Sequence, residues 1–321
     1  MDLLITGGAG FIGSNFIKYM LANNDHNIIN VDKLTYAGNL DNLKDIADHK
    51  NYKFIKGDIC NPELINQVVN QNIDMIINFA AESHVDKSLD NPNLFFKTNV
   101  LGTQILLDAA VENDISKFIQ ISTDEVYGPG QKGEFHTEED ALSPTNPYAA
   151  SKASADLLVL SYQNTYGLPI NITRSTNNYG PYQYPEKIIP LFITNLLENK
   201  KVPLYGDGRH VRDWLHVKDH CRAIELIINK GKSGEIYNIS SNNRFENIEL
   251  TKKILTNLNK SEEYIEYVKD RQGHDRAYFI DASKIREQLN WQPEYDFIKG
   301  LKKTINWYKS NKKWWKKLKE K

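Results

Sequence analysis

A hydroxyl beside two adjacent carboxyls, and further along a phenol four residues from an ammonium, are the side chains of this 321-residue chain best suited to joint chemistry. The stretch Ile121-Ser122-Thr123-Asp124-Glu125-Val126-Tyr127-Gly128 carries the first three. The apolar run 118–121 predicts a short buried strand, which Gly128-Pro129-Gly130 ends. Thr123, Asp124 and Glu125 then sit at the carboxyl end of a strand, the edge of an open α/β sheet where ligands bind. Neighbouring carboxyls in different surroundings can hold different protonation states, one as acid and one as base. Taken alone, the pair is equally well a solvated strand end. Tyr148 and Lys152 lie in a helical run after Asn146-Pro147 and share one helix face. An ammonium beside a phenol favours phenolate, which makes a tyrosine a usable base for an alcohol hydroxyl.

The elements that must position these groups begin at Leu3-Leu4-Ile5-Thr6, a short apolar strand running into Gly7-Gly8-Ala9-Gly10-Phe11-Ile12-Gly13 and a helical pattern. Strand, glycine turn and helix together are the context of a dinucleotide phosphate site. Gly7 permits the tight turn, Gly10 lets backbone approach a pyrophosphate, and Gly13 lets the helix lie close on the sheet. The second strand, from Asn27, ends at Asp32, where an acid accepts from a ribose 2′-hydroxyl and repels a 2′-phosphate, so NAD is expected over NADP. A third strand, 52–56, leads to Asp58, placed for the adenine edge. A fourth, 74–79, ends in Ala80-Ala81, small enough for a cofactor to pass closely. A helix is expected over 62–69, another from Pro92 to about 113, and a further strand at 169–173. Strands alternating with helices predict an α/β fold, a doubly wound parallel (Rossmann) sheet. From about Asn178 the alternation weakens. Residues 1–178 are expected to form the NAD-binding domain, with later segments returning to it, and 179–321 a smaller, discontinuous α+β substrate lobe. The acidic loop 130–145, with His136, Glu138, Glu139 and Asp140, is placed to lie over the site.

Net charge is −1, so no overall field draws the chain to nucleic acid or an anionic membrane. Two cysteines, Cys60 and Cys221, build neither a disulfide framework nor a zinc cluster; a reducing cytoplasm is the expected setting, and no metal is expected. No basic or apolar signal precedes the first strand, and no apolar run approaches the ~20 residues that span a bilayer. The basic, aromatic stretch 311–319 predicts a closing helix with its tryptophans docked and its lysines in water.

Gly7-x-x-Gly10-x-x-Gly13, Asp32, Thr123 and Tyr148-x-x-x-Lys152 together resemble the extended short-chain dehydrogenase/reductase family. The nearer resemblance is to its nucleotide-sugar 4,6-dehydratases of the dTDP-glucose type. It is carried also by Ala80 to Ser88, Asn177 to Gln183, Tyr205-Gly206-Asp207-Gly208, Val211-Arg212-Asp213-Trp214 and Gly273-His274-Asp275-Arg276, and most sharply by Asp124-Glu125 after Thr123. Related epimerases and decarboxylases of UDP-sugars lack that acid pair. The resemblance implies a lyase of deoxysugar and rhamnose biosynthesis that oxidises carbon 4, eliminates water across carbons 5 and 6, and returns hydride to carbon 6. It casts Tyr148 and Lys152 as base and activator, Thr123 as the group orienting the 4-hydroxyl, Asp124 as a protonated acid and Glu125 as an ionised base. It extends the NAD contacts to Phe11, Ile12, Lys33, Leu34, Thr35, Ile59, Glu82, Ser83, Thr98 and Asn178. It also implies a homodimer through helices near 92–113 and 148–166.

A nucleoside diphosphate needs fixed cations, for which Lys187, Arg212, Arg271 and Arg276 are candidates. By resemblance Arg212 and the loop from Asp270 to His274 hold the nucleotide. Asn247 contacts the base or diphosphate, unless it is spent capping a helix. His84, Asn177, Ile188, Pro203 and Tyr205 complete the expected substrate site. Gln272 and Ala277 depart from the family pattern, in which Pro and Arg are common, and leave the choice of dTDP over UDP open. A dehydratase, a UDP-sugar 4-epimerase or decarboxylase, and a non-catalytic NAD sensor are the readings to separate.

Overall fold

The strands in chain order are β1 (Asp2–Thr6), β2 (Asn27–Asp32), β3 (Tyr52–Lys56), β4 (Met75–Asn78), β5 (Lys117–Thr123), β6 (Ile170–Ser175), β7 (Asn177–Tyr179), β8 (Val202–Tyr205), β9 (Val211–His216), β10 (Ile236–Ile239), β11 (Arg244–Glu246) and β12 (Ile265–Val268). They come from a computed structural model describing residues 1–130 and 133–320. Seven form one sheet in the order β10-β6-β5-β4-β1-β2-β3, every pairing parallel. Strand order reverses between β1 and β4, the crevice where open α/β sheets bind ligands. Side chains along a strand alternate between faces, and both faces here are covered. Leu3 and Ile5 pack with Phe16, Ile17 and Ile224 on one side, while Leu4 packs with Ile65, Leu106 and Val159 on the other.

The chain returns β10 to the edge of this sheet beside β6. The other strands after β6 make two small sheets, β11-β9-β7 and β12-β8. A third core of Phe192, Trp214, Ile254, Phe297, Trp314 and Trp315 lies under them. The helix Lys312–Lys319 buries Trp314, Trp315 and Leu318 and exposes most of its lysines, as its amphipathic spacing predicts. Trp314 Nε1 also donates to Asn42 Oδ1 at 2.9 Å, so this helix touches both halves of the chain.

The helix expected to run unbroken from Pro92 is three pieces: Pro92–Phe96, a π-helical turn Lys97–Leu101, and Gly102–Glu112. The wide turn goes with the side chain of Asn99, whose amide Nδ2 donates to Glu82 O at 3.1 Å and Ser151 Oγ at 2.8 Å and whose Oδ1 accepts from Glu82 N at 2.9 Å. The described residues of the acidic loop line neither of the two clefts at the sheet edge. His136 N donates to Phe279 O, and Glu138 Oε1 accepts from Asn238 N, so the loop is stitched to the segment around Phe279 and to β10. Its residues 131 and 132 lie outside the described residues. Cys60 and Cys221 are unpaired, and no described helix is long and apolar enough to cross a membrane.

Candidate active site

Two clefts meet along one wall at the carboxyl ends of the parallel strands. The first is lined by Gly7, Gly10, Phe11, Ile12, Gly13, Asp32, Lys33, Thr35, Asp58, Ile59, Ala80, Ala81, Glu82, Ser83, Thr98, Tyr148 and Lys152. These are the residues expected at the cofactor, with two exceptions. Leu34 adopts a left-handed φ of 57° and its side chain packs toward the core, while its N–H donates to Asp32 Oδ1 at 2.7 Å. Asn178 faces the second cleft, and its amide is spent on Thr176 O, Ser175 Oγ and His220 Nδ1.

The glycine turn has the geometry a dinucleotide demands. A Cβ on Gly7, whose φ is +69°, would sit 2.6 Å from Ala80 Cα, and one on Gly13 would sit 2.6 Å from Gly7 O. Gly10 begins the helix Phe11–Asn23 with no side chain in the way, so the first-turn N–H groups open onto a cleft that Phe11, Ile12 and Gly13 line. Asp32 is buried at the end of β2, and Ala9 N and Leu34 N donate one bond to each of its oxygens. Each oxygen keeps a lone pair for a ribose hydroxyl. Burial raises its carboxyl, against those two N–H donors. Lys33 pairs with Asp58 at 2.7 Å in the same cleft. These residues fit NAD.

The second cleft is lined by His84, Thr123, Asp124, Glu125, Tyr148, Asn177, Lys187, Ile188, Pro203, Tyr205, Arg212, Asn247, Arg271 and His274. Asp270 is not in the lining. It stands behind, accepting from Arg271 N and bonding His274 Nδ1 at 2.7 Å and His210 Nε2 at 3.3 Å, and so fixes the loop. Arg276 is also elsewhere, paired with Asp207 on the surface at 2.8 and 3.0 Å. Arg212 is buried, donates to the carbonyls of Val211 and Asp275, lies 4.6 Å over the Tyr278 ring, and has no carboxylate ion-pair partner among the described residues. A buried guanidinium held only by carbonyls and a ring is suited to an incoming anion. Asn247 does not cap its helix, because Glu246 and Glu249 form the capping box; its Oδ1 is buried without a partner. Asn177 Oδ1 and Arg271 Nε are equally unpartnered in the same cleft.

At the junction β5 delivers the reacting groups. Thr123 ends the strand and its Oγ1 accepts from Glu125 N at 3.3 Å, starting the turn Asp124–Tyr127 that Gly128 closes at φ +83°. Asp124 is 3% exposed. Burial first, and the Glu125 charge second, push its carboxyl up to about 8, which favours the acid form near neutral pH. Asn146 caps the helix Pro147–Tyr166 through Ala149 N and reaches Glu125 Oε2 at 3.5 Å. Tyr148 lines both clefts in the first turn of that helix. Lys152, one turn on, is buried and donates to Ile121 O at 2.6 Å. The expected lowering of the Tyr148 phenol is not what the structure gives. Burial and the Glu125 charge raise it, with a Thr123 contact pulling the other way, while burial itself lowers Lys152 to about 8.

Spacing and periodicity gave no sign of Tyr36, Gln183, Tyr184 and Glu186, which also line the cofactor cleft. Tyr184-Pro185-Glu186-Lys187, an aromatic and two charges around a proline just before a helix, was the available signal.

The GDP-mannose 4,6 dehydratase family model matches residues 4–304. The low-salt glycan biosynthesis protein Agl12 of Haloferax volcanii is 52% identical over 308 residues, covering 96% of this chain and 98% of its own. A dTDP-glucose 4,6-dehydratase of Streptomyces niveus is 47% identical over 324 residues, 99% of this chain and 96% of its own. The dTDP-glucose 4,6-dehydratase of Streptomyces venezuelae, solved with NAD bound, superposes with a TM-score of 0.97 at 46% identity over 99% of this chain and 100% of its own. With a match over nearly its whole length and the acid pair seated at the sheet edge, the chain belongs to the GDP-mannose 4,6 dehydratase family.

Proposed function

We propose that this protein dehydrates dTDP-glucose to its 4-keto-6-deoxy product, with NAD held in the glycine-turn cleft. The observation that carries the reading is the placement of Asp124 and Glu125, consecutive at the end of β5 and in the same cleft as Tyr148, with burial and the neighbouring charge favouring the acid form of Asp124. Elimination of a hydroxyl needs such a donor, whereas exchange at carbon 4 alone does not. Its similarity to proteins named dTDP-glucose 4,6-dehydratase, one solved with NAD bound, supports the same reaction.

Bound there, NAD supplies the acceptor and donor of the hydride and a positive ring charge that favours the Tyr148 phenolate. Tyr148 takes the proton of the sugar's 4-hydroxyl, which the Thr123 hydroxyl orients; Lys152, buried one turn on and donating to Ile121 O, ties the helix of Tyr148 to β5. The ketone so formed acidifies the hydrogen on carbon 5. Glu125 removes it, aligned by Asn146, and Asp124 gives its proton to the departing 6-hydroxyl, which leaves as water. Glu125, its proton exchanged with solvent, reprotonates carbon 5 as carbon 6 is reduced. The proton gained by Tyr148 and the one lost by Asp124 balance through solvent. Arg212, Arg271 and Lys187 hold the diphosphate, and Asn247 with the loop at His274 holds the nucleoside end.

Residues 1–178 with β10 serve as the cofactor lobe, and most of 179–321 as the lobe gripping the nucleotide sugar. Exposed Leu89, Leu94, Phe96, Leu101, Leu157 and Tyr166 on helices around 85–101 and 147–166 support a homodimer formed through those helices. Two unpaired cysteines suit work in a reducing cytoplasm. Incubating the protein with dTDP-glucose and UDP-glucose side by side tests the reading. A product lighter by one water from dTDP-glucose supports it; an unchanged mass from both refutes it.

A further inference from the structure

The reaction proposed above returns to carbon 6 the hydride it took from carbon 4, so the cofactor must not leave between the two events. Along the cofactor cleft, a cluster built on Tyr36 and Glu186, neither of them in the expected site, joins residues from its two sides. Tyr36, from the loop after β2, donates its hydroxyl to Glu186 Oε1 at 2.9 Å. Glu186 comes from the loop before the helix Ile188–Leu197, and both residues line the same cleft. The second oxygen of Glu186 faces His84 Nε2 at 3.4 Å and Lys87 Nζ at 3.9 Å. Lys87 Nζ also stands 3.4 Å over the Tyr36 ring, and the Tyr184 ring meets Tyr36 edge-on at 5.4 Å. Next in sequence, Lys187 Nζ donates to Ser83 O at 2.9 Å. Three loops, after β2, after β4 and before that helix, are thus closed on one carboxylate whose side chain is only 17% exposed.

These contacts have no part in the chemistry of the sugar. Hydrogen bonds to a charged acceptor and a cation over a ring are the stronger kinds of side-chain tie. Glu186 and Lys187 also line the substrate cleft, so a bound nucleotide sugar packs against the same wall.

We propose that Tyr36 and Glu186 form a latch across the cofactor cleft, positioning residues that hold NAD in place through the catalytic cycle. The inference rests on the NAD-dependent reading above. It is tested by the rate at which bound NAD leaves the purified protein, trapped by a fluorescent NAD analogue in excess and followed without substrate. Tyr36→Phe and Glu186→Ala are each expected to release NAD roughly tenfold faster than the parent, and the double variant no faster than Glu186→Ala alone, since removing the carboxylate already breaks the bond to Tyr36. Their turnover should fall on dilution and recover with added NAD, a rescue that damage to the fold would not show. Parent-like release from both single variants and the double variant overturns the latch. Because release needs no sugar, a parent protein that holds NAD but leaves dTDP-glucose intact refutes the substrate assignment and not the latch.

Discussion

Burial, and then the neighbouring Glu125 side chain, push the Asp124 carboxyl up to about 8. Dehydration should therefore fall as pH rises through about 8, where the acid form disappears, as a plot of kcat/KM against pH will show. Stability follows with a definite sign. In the unfolded chain the same group ionises near ~3.9, so its burial costs the fold nothing below that pH, an increasing amount as pH rises to about 8, and a constant amount above. Asp124→Asn should melt higher than the parent at pH 8 and at nearly the same temperature at pH 4, by calorimetry. The same variant should lose about 10²–10⁴ in elimination rate while still oxidising the sugar. The order of these acids behind Thr123 was legible because they are consecutive. Tyr36 and Glu186 were not, since 150 residues separate them and only the folded loops bring them to 2.9 Å.

Two elements place the chemistry, and both depend on how they begin and end. The helix Pro147–Tyr166 starts with the Asn146 cap and Pro147 and ends at Gly167 with a left-handed φ of 72°. Asn146→Ala should cost about 1 kcal/mol in denaturant unfolding. It should also lower kcat, because the amide near Glu125 goes with the cap. The turn after β5 ends at Gly128, where a Cβ would meet Ser143 O at 2.3 Å and φ is +83°. Strands and most helices could be read from apolar periodicity, because burial on one or both faces writes it into the sequence. The π-helical turn Lys97–Leu101 could not, since one extra residue in a turn leaves no such pattern. What fixes it is a set of contacts between Asn99, Glu82 and Ser151, which are far apart in the chain. The same limit explains Asn247, whose cap role passed to Glu246, and Lys152, whose ammonium turned to Ile121 O.

At the scale of the molecule, a sheet whose strand order reverses at β1 and β4 puts the glycine turn and the Thr-Asp-Glu edge on one rim, and the second half of the chain folds over that rim. The helix Lys312–Lys319 helps hold the halves together through Trp314 to Asn42. Trp315, 1% exposed, should cost about 3–5 kcal/mol when changed to Ala, measured by unfolding. Leu157 is 58% exposed on the helix proposed for dimer contact, so Leu157→Asp should shift the protein from dimer to monomer in sedimentation. The central claim, that one phenol and two acids act on a single hexose, is tested most directly by running the reaction with dTDP-glucose in deuterated water and reading the product by NMR and mass. The account predicts loss of one water, one solvent deuterium on carbon 5 delivered by Glu125, and on carbon 6 a hydrogen that came from carbon 4. A product of unchanged mass, or one whose carbon 5 carries no deuterium, would contradict it.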